Sequence, residues 1–309
     1  MNSFNFNRFG QTLRWVVGVN FRTLLMWTIG ASLAVFLGEM IAWNFDDFHN
    51  SPAEMLRSFS YVGVTLFSIT SMVMVSSVVS TVNSKQKREA FLMLPSTNLE
   101  KYLALVLYVS VVCILCVFLA MVIGDSLRMA WFWVRDAVGY TPRFEGEAVS
   151  VLVPEDIWNT GEPYSGSWVY WYHSALPYLF YNMFPQNMDT STWYWTMQWV
   201  VFLTLVIWIH SLYTLGGTLL RKYAFVATSV VFIICFVIFV NIVMYFKLSM
   251  FQTNWEDGKR VYEEVGTIAY ILSIGLPLLS ILNYWTSFQI FKGFQLITNK
   301  WFNYDFHKR

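Results

Sequence analysis

The sequence predicts an all-α membrane protein with six transmembrane helices, an N-terminal amphipathic helix in the membrane interface and a small external subdomain between helices 3 and 4. Three observations predict it. Of 309 residues, 56 % are hydrophobic and 13 % charged, about half the roughly 25 % charge of ordinary soluble domains. The charges sit in short intervals separated by long charge-free runs, whereas a soluble chain places charge on every helix. Basic residues gather on alternate intervals, the pattern of loops that stay on one side of a membrane. The formal net charge of +1 lacks the clustered basic excess of a nucleic-acid-binding surface.

A hydrocarbon core about 30 Å thick takes about 20 helical residues at about 1.5 Å each. Six runs qualify: 23–43, 60–82, 102–124, 193–217, 224–246 and 267–291. The last contains Pro277, a kink point that neighbouring helices tolerate. Residues 163–188 also lack formal charge, but Pro177, Asn182, Pro185, Gln186 and Asn187 interrupt them. Their aromatic run, Trp168 to Tyr172, suits the headgroup region, so they read as an interfacial or re-entrant segment. Residues 3–20 carry Phe9, Leu13, Val16 and Val17 at helical spacing beside Arg8 and Arg14, an amphipathic helix lying in the interface. The first apolar run is long enough to span, so no cleavable leader is expected. No internal repeat is visible.

The expected organisation is therefore an amphipathic helix over 1–22, helices 1–3 over 23–124 with a loop at 83–101, an external subdomain over 125–192, helices 4–6 over 193–291, and a tail over 292–309. The external interval holds strand-like text (Ala148 to Val153) and turn text (Asn159 to Pro163). Its Trp158, Trp168 and Trp171 read as interfacial anchors, with a partner-binding surface as the alternative.

Orientation follows from counting. With both termini inside, the inner segments hold 13 basic and 3 acidic residues, and the outer segments 7 basic and 15 acidic. Lys/Arg retention on the cytoplasmic side places both termini in the cytoplasm of a multi-pass protein. A seventh span at 163–188 would move Arg221, Lys222 and the basic tail outside, so the count rejects it.

Catalytic text is scarce. There is no Gly-x-x-x-x-Gly-Lys-Ser/Thr phosphate loop, no His-Glu-x-x-His and no Gly-x-Ser-x-Gly. His49, His173, His210 and His307 stand apart without ligand spacing. Cys113, Cys116 and Cys235 all lie in apolar runs and read as small buried hydrophobes. The chain is therefore read as a non-enzyme with no metal or cofactor of its own. Two ionisable residues fall inside spans, each a functional hypothesis by the cost of charge in lipid. Glu39, about one turn from the end of its run, reads as wet at the outer interface, with a buried functional acid as the alternative. His210 reads as near-interfacial, with a polar contact between helices as the alternative.

The two inner loops carry more. In the first, Lys85, Lys87, Arg88 and Glu89 lead into an apolar patch at Phe91, Leu92 and Leu94. Pro95 then stops the helix, and Ser96 or Thr97 caps the next one with Glu100 near its third position. A short amphipathic helix on this loop fits either a docking partner or the membrane surface.

The stretch Arg88-Glu-Ala-Phe-Leu-Met-Leu-Pro-Ser-Thr-Asn-Leu-Glu-Lys-Tyr102 resembles the segment after the second span in bacterial ABC-2-type transporter permeases. Leu215-Gly-Gly-Thr-Leu-Leu-Arg-Lys-Tyr-Ala-Phe225 is similar to the link between their spans four and five. Asn283 to Lys292 resembles their last span and exit. The better-known members carry their large external element between spans five and six, unlike the long interval here.

The resemblance implies the permease subunit of an ABC transporter in the bacterial inner membrane, moving an unidentified substrate, with export favoured. ATP would be bound by a separate ATPase subunit, and the permease would pair with itself or a second permease. Loop 83–101 would be the coupling helix that docks in the ATPase, with Phe91, Leu92 and Leu94 as contact area and Lys85, Lys87 and Arg88 steering. Gly216, Gly217, Arg221 and Lys222 would form a second cytoplasmic contact at a Gly-Gly turn. The competing expectations are an ATP-independent carrier or membrane-embedded enzyme, and a membrane interaction protein acting through its external loop.

Overall fold

A computed structural model of the chain describes residues 4–45, 52–82, 84–138, 174–185, 191–220, 223–256 and 259–293. The protein is an all-α membrane protein, with six helices long and apolar enough to cross a bilayer. The elements in order are α1 (Phe6–Phe45), α2 (Pro52–Ser76), α3 (Lys85–Met93), α4 (Asn98–Leu107), α5 (Ile114–Ala137), α6 (Leu176–Met183), α7 (Thr192–Leu219) and α8 (Ala224–Tyr245). A hairpin, β1 (Phe251–Glu256) and β2 (Lys259–Val265), precedes α9 (Thr267–Lys292). A π-helical turn, Tyr108–Cys113, joins α4 to α5, so that Asn98–Arg135 forms the third span.

Four features depart from the sequence expectation. The N-terminal amphipathic helix and first span are one helix of 40 residues. Nothing between 6 and 45 is a proline, and the glycines at 10, 18, 30 and 38 cost a long helix only about 1 kcal/mol each. The second span ends at Ser76, six residues before the apolar text does. The hydroxyls of Ser76, Ser77, Ser80 and Thr81 donate to the carbonyls three residues back, and this local bonding competes with the helical ladder. The third span runs past Gly124 to Ala137. The hairpin between α8 and α9 is the fourth. Its Glu256 pairs with Lys259 across a two-residue connection, whose sequence is Asp257-Gly258, a strong hairpin-turn signal. Of the expected external subdomain, residues 139–173 and 186–190 lie outside the described residues. Its described part holds the end of α5 and the short helix α6.

Two compact units share the chain. The first comprises Met1–Arg22, Ser71–Ile114 and Pro185–Arg309. Within it α7 packs along α9 and α8, and α4 meets α9. Its buried residues include Val16, Val78, Phe91, Tyr102, Leu105, Tyr213 and Phe291. Gly216 and Gly217 are not a turn: both lie inside α7, buried. A Cβ on Gly216 would collide with Thr228 of α8, and one on Gly217 with the Ser76 carbonyl. These glycines allow close backbone approach, the role of small residues between helices in lipid.

The second unit comprises Thr23–Thr70 and Leu115–Phe184. One apolar cluster joins Trp43, Leu56, Phe59, Phe132 and Ala175, and another joins Val35, Met121 and Leu179. Gly63 admits Leu179 and Met121 against α2, which seats α6 on the unit.

Candidate functional site

The short helix α3 is built as a separate, braced element of the first unit. Ser84 caps its start by accepting from the Lys87 amide. Pro95 stops it, and the Lys101 ammonium donates to the Leu92 carbonyl at 2.7 Å, satisfying its open end. Thr97 and Glu100 form the capping box expected from their spacing, at 3.2 and 2.8 Å. Glu100, fully buried, does more. Its Oε1 also accepts from the Asn5 amide at 2.7 Å and from Arg8 Nη2 at 3.0 Å, tying the start of α1 to the start of α4.

A second tie runs along α3. Lys87 Nζ donates to Val19 O and Asn20 Oδ1, both at 3.3 Å. The Phe91 ring, 0 % exposed, lies 5.8 Å from Trp15 in a stacked arrangement and 6.5 Å from Phe291. Tyr102 meets Phe291 and Phe288 at 5.6 and 5.3 Å. The inner face of α3 is thus held by α1 and α9, through contacts that full burial of an aromatic makes worth several kcal/mol.

Three of the residues expected to face a docking partner do not face outward. Phe91 and Arg88 are buried and Lys87 bonds to α1, so none of the three is presented outward. The physical reason is helical phase. Arg88 and Phe91 share one side, while Gln86, Ala90 and Met93 recur on the opposite side and are exposed, Met93 by 83 %. Glu89, Leu92 and Leu94 are half-buried along the edges. The Lys85 side chain, Arg221 and Lys222 lie outside the described residues.

The spans of the same unit are linked by hydroxyl relays. His210 of α7 lies 2.7 Å from Ser110 Oγ through Nε2 and 2.5 Å from Tyr284 OH through Nδ1. Ser110 already donates to Val106 O, so it accepts from His210, and Tyr284 donates to the other ring nitrogen. Ser110 lies in the π-helical turn. Tyr102 donates to Ser287 at 3.0 Å, and Ser287 contacts Thr218 at 3.0 Å. Asn283 donates to Ser211. His210 is therefore a polar contact between helices.

The second unit holds a charge cluster that the sequence reading missed. Glu39 is 2 % exposed, Asp125 2 % and Arg128 0 %. Arg128 Nε donates to Glu39 Oε2 at 3.1 Å and Asp125 Oδ1 at 3.2 Å, and its Nη2 to Asp125 Oδ1 at 2.6 Å. Its guanidinium lies 4.8 Å over the Phe59 ring. Asp125 also accepts from Ser174 Oγ at 2.5 Å and the Ala175 amide at 3.3 Å, fastening the start of α6. Phe59, Ser60, Gly63, Met121 and Leu179 close around the acids and leave no room for a water-sized guest. Glu39 is thus buried and paired, not wet at the interface.

A signal for this cluster was present. Asp125 and Arg128 stand three residues apart with no turn text after Gly124, so the third helix could carry them on one face toward an intramembrane acid. Cys113 is buried and Cys116 half-buried, both free thiols. Among the described residues, no three His, Cys, Asp or Glu side chains converge as a metal site. Comparisons with protein-family models, curated proteins and solved structures found no match for the chain.

Proposed function

We propose that the chain is the permease subunit of an ABC transporter, seated in a bacterial cytoplasmic membrane with both termini inside and driven by a separate P-loop ATPase. The observation that carries this reading is α3. It is a nine-residue helix between two spans, capped at both ends and braced from behind by Trp15 and Phe291. Its outer face, Gln86, Ala90 and Met93, is open. A short helix fixed to its own spans and bare on the far side suits the transmission of force from a partner. Glu89, Leu92 and Leu94 flank the contact. Lys85 and the second inner loop, with Arg221 and Lys222, belong to the same proposed surface. A paired permease completes the transport path.

The test is co-purification of the full-length protein with its ATPase, comparing wild type with an Ala90→Glu/Met93→Glu variant. Both positions are exposed, so the variant keeps its fold, as a matching melting temperature shows. The reading expects the ATPase to be lost. Retention at the wild-type ratio overturns the dock.

One observation favours a second reading, a carrier that uses no ATP. The buried Glu39–Arg128–Asp125 cluster is the kind of intramembrane charge that carriers use. Transport by reconstituted vesicles without ATP, abolished in Glu39→Gln, would establish it in place of the first.

A further inference from the structure

The N-terminal part of α1 has one face occupied and one bare. Thr12, Val16 and Asn20 are buried, and Arg8, Trp15 and the Val19 carbonyl are engaged with α3 and α4. On the opposite side Gln11, Arg14, Gly18, Phe21 and Arg22 are exposed. A side chain built on Gly18 would meet nothing within 4 Å. Among the described residues, neither Arg14 nor Arg22 makes a hydrogen bond or ion pair. The sequence offers them no local partner either, since Glu39 is the first acidic residue of the chain.

The spacing of the pair is specific. Eight residues of α-helix separate the two arginines by about 12 Å along the axis and about 80° around it. Gly18 lies midway between them, a notch with a guanidinium at each end. Phe21 flanks the notch with 60 % exposure. Directly after Arg22 the chain enters the charge-free run from Thr23 to Gly38. Arginines at the water end of a spanning helix extend to the headgroup level. Planar guanidinium groups bind phosphate through paired N–H donors.

We propose that Arg14, Gly18 and Arg22 form a binding site for the phosphodiester headgroup of an anionic phospholipid. The two guanidinium groups hold the phosphate over the Gly18 notch, and Phe21 packs on the glycerol and upper acyl carbons. The occupant is a lipid because the site carries positive charge that is unpaired among the described residues and adjoins a spanning run. This assignment rests only on membrane insertion, so it stands or falls separately from the transporter reading.

The test uses the full-length protein in neutral detergent, titrated with phosphatidylglycerol and, separately, phosphatidylcholine, with bound lipid counted by native mass spectrometry. Wild type should retain phosphatidylglycerol in preference. With each basic residue acting independently, Arg14→Gln or Arg22→Gln should weaken retention about fivefold and the double variant about thirtyfold. Gly18→Leu, which fills the notch and keeps both charges, should weaken it as well. Arg57→Gln, an exposed arginine on α2, should not. Equal retention by wild type and the double variant overturns the proposal. So does equal binding of phosphatidylcholine, or full displacement by inorganic phosphate at matched concentration, which would mark a site for the free anion.

Discussion

Replacing Arg128 with methionine removes the guanidinium from between Glu39 and Asp125 and leaves both acids enclosed. The three side chains are 0 %, 3 % and 3 % exposed. Asp125 keeps Ser174 and the Ala175 amide as donors. Glu39 keeps no hydrogen bond among the described residues, since Arg128 Nε at 3.1 Å is its donor. Breaking a buried ion pair from one side costs about 3–5 kcal/mol, and here two acids lose the same cation. At roughly 2–4 °C per kcal/mol for a larger domain, the variant should melt on the order of 10 °C lower. The assay is thermal unfolding in detergent, followed by labelling of buried Cys113 with a thiol-reactive dye in a Cys235→Ser background, since Cys235 is exposed. The informative companion is the triple variant Glu39→Gln/Asp125→Asn/Arg128→Met, which replaces charge with neutral groups of similar size. Removing a whole buried ion cluster is far milder than orphaning half of it, so the triple should recover most of the loss. A single variant that melts with wild type, or a triple no better than the single, refutes the role given to these charges.

Other predictions follow the same packing. Phe91→Ala should lower stability by about 3–5 kcal/mol, the usual cost of deleting a buried phenyl ring, whereas Met93→Ala, at 83 % exposure, should be close to neutral in the same melt. Gly217→Leu should prevent α7 from meeting Ser76 and destabilise the protein, while Gly275→Ala, with nothing within 4 Å, should be neutral or slightly stabilising by helix propensity. For orientation, Gln86→Cys should react with an impermeant maleimide from the cytoplasmic side and Lys247→Cys from the other, each introduced alone and compared with the parent; the reverse pattern would invert the topology.

Most of the membrane architecture was legible because spanning helices must satisfy their own backbone and face lipid. Runs such as 224–246 therefore announce themselves residue by residue, and the structure places α8 at Ala224–Tyr245. The Thr97–Glu100 capping box was legible because it is local. The faces of α3 were not. Apolar text at Phe91, Leu92 and Leu94 says that the helix has an apolar side, but not that Trp15 and Phe291 cover it. Those partners lie far away in sequence, as do Asn5 and Arg8 for Glu100. The charge cluster was hidden by a boundary error: ending the third helix at Gly124 put Asp125 and Arg128 in a loop, so Glu39 was left without its partner. The hairpin was overlooked although Asp257-Gly258 marks its turn, because Glu256 to Glu264 read as loop charge.

Whether the bare face of α3 meets an ATPase, as proposed above, can be tested at the residue itself. The most direct measurement places a photo-crosslinking amino acid at Met93 in the full-length protein, irradiates intact cells of the source organism, and identifies the adduct by mass spectrometry. The expected result is one major protein adduct, a P-loop ATPase carrying an ABC signature, and its absence when the crosslinker replaces Trp285 on the exposed side of α9. A position 93 that yields lipid adducts alone, or no ATPase among its protein adducts, would contradict it.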